Sequence, residues 1–161
     1  MKKEKHIVTT RPCKRVETKG RSGKANGWLL ELFSDKDGFT KHIKGQVYLT
    51  VAKPGVLKGY HLHAQSDYFV TCIKGAVKEI VYKSKTEKEE MLMGDDDFKT
   101  IFVPKGHPHA IQNVGTTPAY VLVYRYPAWN PKKPEQLDIH EDEIETDGAW
   151  KRIRAFMKTF K

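Results

Sequence analysis

The sequence predicts an all-β domain, a sandwich or barrel, followed by one C-terminal amphipathic helix. Three observations carry this. Short runs rich in Val, Ile, Leu, Tyr and Phe recur between residues 28 and 126, separated by turns containing Gly, Pro and Asp. No stretch in that interval sustains a helical period. Trp150, Ile153, Met157 and Phe160 then recur at helical spacing, with Lys151, Arg152, Arg154, Lys158 and Lys161 between them.

Taken in order, residues 1–26 form a basic arm, and residues 1–24 hold nine basic and two acidic side chains. Strands are expected at Trp28–Phe33, Gln46–Ala52, Tyr68–Ile73, Ala76–Tyr82, Thr100–Val103 and Ala119–Tyr126. Lys74–Gly75 joins two apolar runs and reads as a tight hairpin. Together, residues 27–134 make the barrel. Residues 135–161 supply an acidic linker and the helix, whose apolar stripe is expected to pack on the barrel or on a partner subunit.

Composition narrows the class. With 161 residues, 39% hydrophobic and 30% charged, the chain suits one globular domain that needs no disulfide or structural metal. No run approaches the roughly 20 apolar residues of a membrane span. The start MKKEKHIVTTRPCK has no apolar segment after its charges, so the expectation is a cytoplasmic protein with Cys13 and Cys72 reduced. A net charge of +9 favours an anionic small ligand. Nucleic acid is a weaker expectation, because no aromatic-interleaved basic stretch accompanies the charge.

Two segments concentrate the residues that do chemistry: Gly55 to Tyr68, and Pro104 to Asn113. His61 and His63 are two apart, so on a strand they share a face. His109 follows a Pro-x-Gly turn and can face the same interior. Three such histidines suit a metal site or acid–base work.

These residues carry a resemblance. Gly55, His61 and His63, with Gly75 downstream, are similar to the first motif of the cupin superfamily, and Pro104, Gly106, His109 and Asn113 to the second. The resemblance implies a double-stranded β-helix, the cupin jelly-roll barrel, with its site inside. Metal-dependent cupins carry a glutamate where this chain has Tyr68. A metal site of His61, His63 and His109 would need Asp67 brought in by a bulge.

A narrower resemblance covers Gly27 to about Asn130. Asn26-Gly27 through Glu31 to Phe33, Gln46 to Thr50, Gly55 to His61, and Val103 to Ile111 resemble, in order, the motifs of the dTDP-4-dehydrorhamnose 3,5-epimerase group. This implies a cofactor-free epimerase or ketoisomerase of a nucleotide-linked 4-keto-6-deoxy sugar, acting as a homodimer. His61 would be the base and His109 its assistant; Glu31, Gln46 and Lys58 would contact the nucleotide. Tyr124 matches the first tyrosine of the family's Y-x-x-x-x-Y pattern, but Trp129 stands at the second. Tyr60, Tyr68 or Tyr126 can substitute, and Tyr126 is assigned the catalytic place. Tyr60, His63, Tyr68, His107, Asn113 and Tyr124 are expected to contact substrate. Two further departures are Asn26 for the family's Arg and Asp67 near its Lys. Alternatives are a non-catalytic sugar-nucleotide-binding cupin and a metal-dependent cupin enzyme using His61, His63 and His109.

Overall fold

The structure is a computed structural model and describes residues 14–20, 22–36 and 44–160; Cys13 and the first half of the basic arm lie outside the described residues. Among these, eleven strands and one helix follow one another: β1 Lys14–Lys19, β2 Ala25–Ser34, β3 Gln46–Ala52, β4 Leu57–His63, β5 Asp67–Lys74, β6 Ala76–Tyr82, β7 Lys88–Gly94, β8 Ile101–Val103, β9 His109–Asn113, β10 Ala119–Tyr126, β11 Gln136–Asp138 and α1 Asp147–Lys158. The strands form two sheets in the orders β1-β2-β3-β10-β5-β8 and β11-β4-β9-β6-β7. Every neighbouring pair is antiparallel. The sheets reach past residues 27–134 at both ends, through β1 and β11.

The expected strands at β3, β6 and β10 have the bounds read from the sequence. The Lys74–Gly75 hairpin is corrected. β5 and β6 lie in different sheets, so Gly75 turns the chain from one layer to the other. Its φ of +87° and the approach of Ala119 Cα to 3.1 Å from a built Cβ explain why a glycine stands there. Turn composition shows that the chain reverses, not that the flanking strands pair.

Alternation sorts the side chains. Val70, Cys72, Val77, Val103, Val121 and Met93 fill one end of the space between the sheets. A second cluster lies where Leu62, Ile80, Tyr82 and Ala110 meet Ile139, Ile144, Ala149 and Ile153. The helix therefore packs its stripe on the barrel itself. Thr146 caps it, accepting from the Ala149 N–H at 3.2 Å, and the Trp150 indole donates to the Ile144 carbonyl at 2.7 Å.

Candidate active site

The other end of the interior is hollow, with polar and apolar side chains both facing the space. A cavity of about 820 Å³ is bounded by β1, β2, β3, β5 and β10 of one sheet and by β4, β6, β9 and β11 of the other.

β4 positions most of its chemistry by a bulge. Gly59 pairs with Ala110 and His61 with His109, so Tyr60 is the extra residue. Strict alternation would send Lys58 and His61 to opposite faces; the bulge brings both inward. Gly59 has a φ of +137°, and a Cβ there would meet Ala110 Cβ and the His109 carbonyl at 2.7 Å.

Three imidazoles meet in the cavity. Ring centroids lie 4.8 Å apart for His61–His109, 5.0 Å for His61–His63 and 5.6 Å for His63–His109. Burial, then the charges of His63, Arg125 and Lys58, hold His61 down to about 3, so it is neutral. Burial first, and the neighbouring histidines second, also hold His109 well below its ordinary range. Tyr68 stacks on His63 at 4.2 Å, its hydroxyl 3.2 Å from Nδ1. Burial pushes Tyr48 up to about 12 and Tyr68 well above 10, so both keep their phenolic protons.

Beyond the histidines, Gln46 donates to Glu31 and accepts from the Trp129 N–H at 3.3 Å. Lys58 Nζ donates to Thr50 Oγ1 at 2.7 Å, Thr18 Oγ1 at 2.9 Å and the Val51 carbonyl at 3.3 Å. These partners are neutral oxygens, so burial lowers the lysine to about 8. Lys58 contributes field to the cavity, but a ligand phosphate must displace one of those oxygens to bond it.

Of the sequence-predicted residues, Glu31, Gln46, Lys58, Tyr60, His61, His63, Tyr68 and His109 line the cavity. Tyr60 does so only in part, because its ring belongs to the cluster under the helix, edge-on to Tyr82 at 5.4 Å. Four are elsewhere. Tyr124 and Tyr126 flank the inward Arg125 on β10, so alternation turns both outward; Tyr126 is 50% exposed and Tyr124 donates to the Lys44 carbonyl. His107 lies in the β8–β9 turn, beside the Lys105 carbonyl. Asn113 is buried in the framework, donating to the Ala52 and Thr117 carbonyls and accepting from the Gly115 N–H. Asp67 also points away, accepting from the Lys105 N–H, and so does not join the histidines.

Three cavity residues were not read from the sequence, Tyr48, Glu79 and Arg125, and Glu135, at the start of the acidic linker, stands beside the last of them. Their signal is parity. Glu79 alternates with Val77 and Val81, and Arg125 with Val121 and Val123, so each charge falls at an inward position. Arg125 pairs with Glu135 and donates to Ser66 Oγ at 2.6 Å.

The donor set also fits a metal ion. Each histidine offers one ligand nitrogen within 4.8 Å of the others, and His63 Nε2 is buried without a partner. Three imidazoles suit zinc, nickel, iron or copper.

Two opposed antiparallel sheets with a histidine cluster inside define a cupin barrel. The chain belongs to the polysaccharide biosynthesis C-terminal domain family, whose model matches residues 25–137. It is 29% identical over 130 residues to the spore coat polysaccharide biosynthesis protein SpsL of Bacillus subtilis (strain 168), covering 77% of this chain and 85% of SpsL. Among solved structures it is similar to the capsular polysaccharide assembling protein CapF of Staphylococcus aureus, with a TM-score of 0.65 and 20% identity. The match covers 80% of this chain and 34% of CapF, so the chain spans about a third of that protein. Oxalate decarboxylase OxdC of Bacillus subtilis gives a TM-score of 0.60 at 15% identity, over 78% of this chain and 30% of OxdC. At these identities both structures bear on fold alone. Among the described residues, no helix is long and apolar enough to cross a membrane.

Proposed function

We propose that the chain is an epimerase or ketoisomerase acting on a nucleotide-linked, dTDP-type 4-keto-6-deoxy sugar. The observation that carries the reading is the grouping of neutral His61 and His109 with two protonated tyrosines inside one cavity. The names of SpsL and CapF, both tied to polysaccharide, support a sugar substrate.

A ketone acidifies the hydrogens on its neighbouring carbons. His61, being neutral, takes one of them as a proton; the C–H pair moves into a carbon–carbon double bond and the carbonyl pair onto oxygen. The diphosphate entering beside His61 raises its proton affinity, since an opposite charge favours the cation. Tyr68 or Tyr48 returns a proton to the carbon as the enolate collapses, giving the epimer. Return instead at the former carbonyl carbon gives the moved ketone, as the hydroxyl on the deprotonated carbon passes its proton to the former carbonyl oxygen and its O–H pair becomes the new C=O. The phenolate formed then recovers the proton held by His61.

The test is deuterium uptake from heavy water into dTDP-4-keto-6-deoxyglucose, read by mass spectrometry. One or two enzyme-dependent deuterons, lost in His61→Ala, are expected. Binding without any uptake overturns the reading in favour of a non-catalytic sugar-nucleotide-binding protein.

A second reading rests on the nitrogen cluster. If His61, His63 and His109 hold a divalent ion, it would act as a Lewis acid toward the sugar oxygen. Stoichiometric metal after purification, lost in His63→Ala, would select it. The homodimer also stays a proposal. Phe69 and Phe102, 39% and 52% exposed with centroids 5.1 Å apart, would be covered by a second copy. Sedimentation of the wild type against Phe102→Lys tests that.

A further inference from the structure

Glu79 lies on β6 between Val77 and Val81 and has no exposed surface. Both of its carboxyl oxygens lack a hydrogen-bond partner. A leucine would fill the same volume without the desolvation cost, so packing does not account for an acid there. The β6–β9 ladder sets Glu79 opposite Ile111, diagonal to His109. Its Oε1 lies 3.9 Å from His109 Nδ1, which is likewise buried without a partner. Two unpartnered polar groups thus face one another, a small shift from bonding.

A neutral imidazole has one protonated and one bare nitrogen, and the group facing one nitrogen decides which is which. We propose that Glu79 is a positioning residue that fixes the tautomer and ring orientation of His109, leaving Nε2 as the nitrogen offered to the cavity. A carboxyl that donates to Nδ1 leaves Nε2–H, a donor for the enolate oxygen. A carboxylate that accepts from Nδ1–H leaves Nε2 bare, as metal ligation requires. Glu79 therefore sets what His109 can do. This deepens the function proposed above and rests on it only where turnover is read.

The experiment uses the full chain with ¹⁵N-labelled histidine, treated with a chelator, at one fixed pH. Long-range ¹H–¹⁵N correlation reads Nδ1 and Nε2, and the His109 signals are those missing from His109→Gln. The wild type should show two well-separated nitrogen shifts. In Glu79→Leu they should draw together as the tautomers mix, with a melting temperature no lower than that of the wild type. Glu79→Gln, whose amide can donate or accept, should show the same convergence and serves if the leucine variant does not fold. Unchanged separation in a folded variant, with or without a lower melting temperature, overturns the proposal. Turnover of the keto sugar should fall about 10- to 100-fold in kcat with KM retained. Converged shifts with unchanged turnover would uphold the role of Glu79 and count instead against His109 in the reaction.

Discussion

Arg125 of β10 and Glu135, just before β11, form a buried ion pair although ten residues separate them, and the pair ties the chain's exit from the barrel to the cavity wall. Arg125 also lies over the rings of Tyr68 and Trp129, at 5.1 and 5.4 Å. Glu135 accepts from the Gln65 N–H at 2.9 Å and lies 3.5 Å from His63 Nδ1. One carboxylate thus holds an arginine, a turn and a site histidine.

Removing that carboxylate should be severe. Glu135→Ala leaves a buried guanidinium without its counter-charge, at a cost of about 3–5 kcal/mol, measurable by urea denaturation. Burial alone would push the Glu135 carboxyl up, but bonds from His63 and the Gln65 N–H, with the charges of His63 and Arg125, outweigh it and hold the group at about 2. A depressed carboxyl stabilises the fold above its ordinary 4.5, and that stability is lost as pH falls toward about 2. Wild-type stability should decline across this window, and less steeply in Glu135→Gln.

Lys58 gives a dependence at the opposite end of the scale. Its charge is present below about 8 and lost above it. Affinity for thymidine diphosphate, measured by calorimetry from pH 6.5 to 9.5, should fall on the order of tenfold through that point. In Lys58→Met the fall should vanish and affinity should be low throughout. Folding should become more favourable from about 8 toward the ordinary 10.5, since the unfolded chain there binds more protons.

Asn113 should behave as framework. Asn113→Ala leaves the Ala52 and Thr117 carbonyls and the Gly115 N–H without its amide, at a cost of about 1–3 kcal/mol for each buried group left unpaired. The melting temperature should drop while ligand affinity of the folded fraction stays unchanged.

The helix is tested at Ile153, which is 3% exposed against the outer cluster. Ile153→Ala should cost about 2–5 kcal/mol, through lost burial and the cavity left behind. Chemical denaturation should show this as a lower midpoint with the cavity's ligand affinity intact.

These residues also show how far the sequence could be read. β3, β6 and β10 are runs of β-branched and aromatic side chains whose composition marks them without context. β7, Lys-Glu-Glu-Met-Leu-Met-Gly, is an edge strand with its acids exposed, so its composition resembles a loop. The histidines were legible because spacing and motif agree, and β4 and β9 bring them together. Tyr124 was placed by spacing within a resemblance and Tyr126 as a substitute for the tyrosine that Trp129 replaces, but strand parity turns both away. Glu79 and Arg125 were missed because a charge within a strand looks like a solvent-facing position until the inward face is known. Tyr48 was hidden in another way, as an ordinary strand aromatic.

The cavity is lined in part by the first and last strands of the fold. Val16 and Thr18 of β1 stand on one side, Gln136 and Asp138 of β11 on the other. Both are outermost strands, each bonded to a single neighbour in its sheet. Mutations there touch few packed atoms, whereas the histidines sit on central strands that cannot shift without unmaking the barrel. Selection can therefore revise which molecule is admitted while leaving untouched the machinery that receives it. A lineage of such barrels would diversify at its margins first.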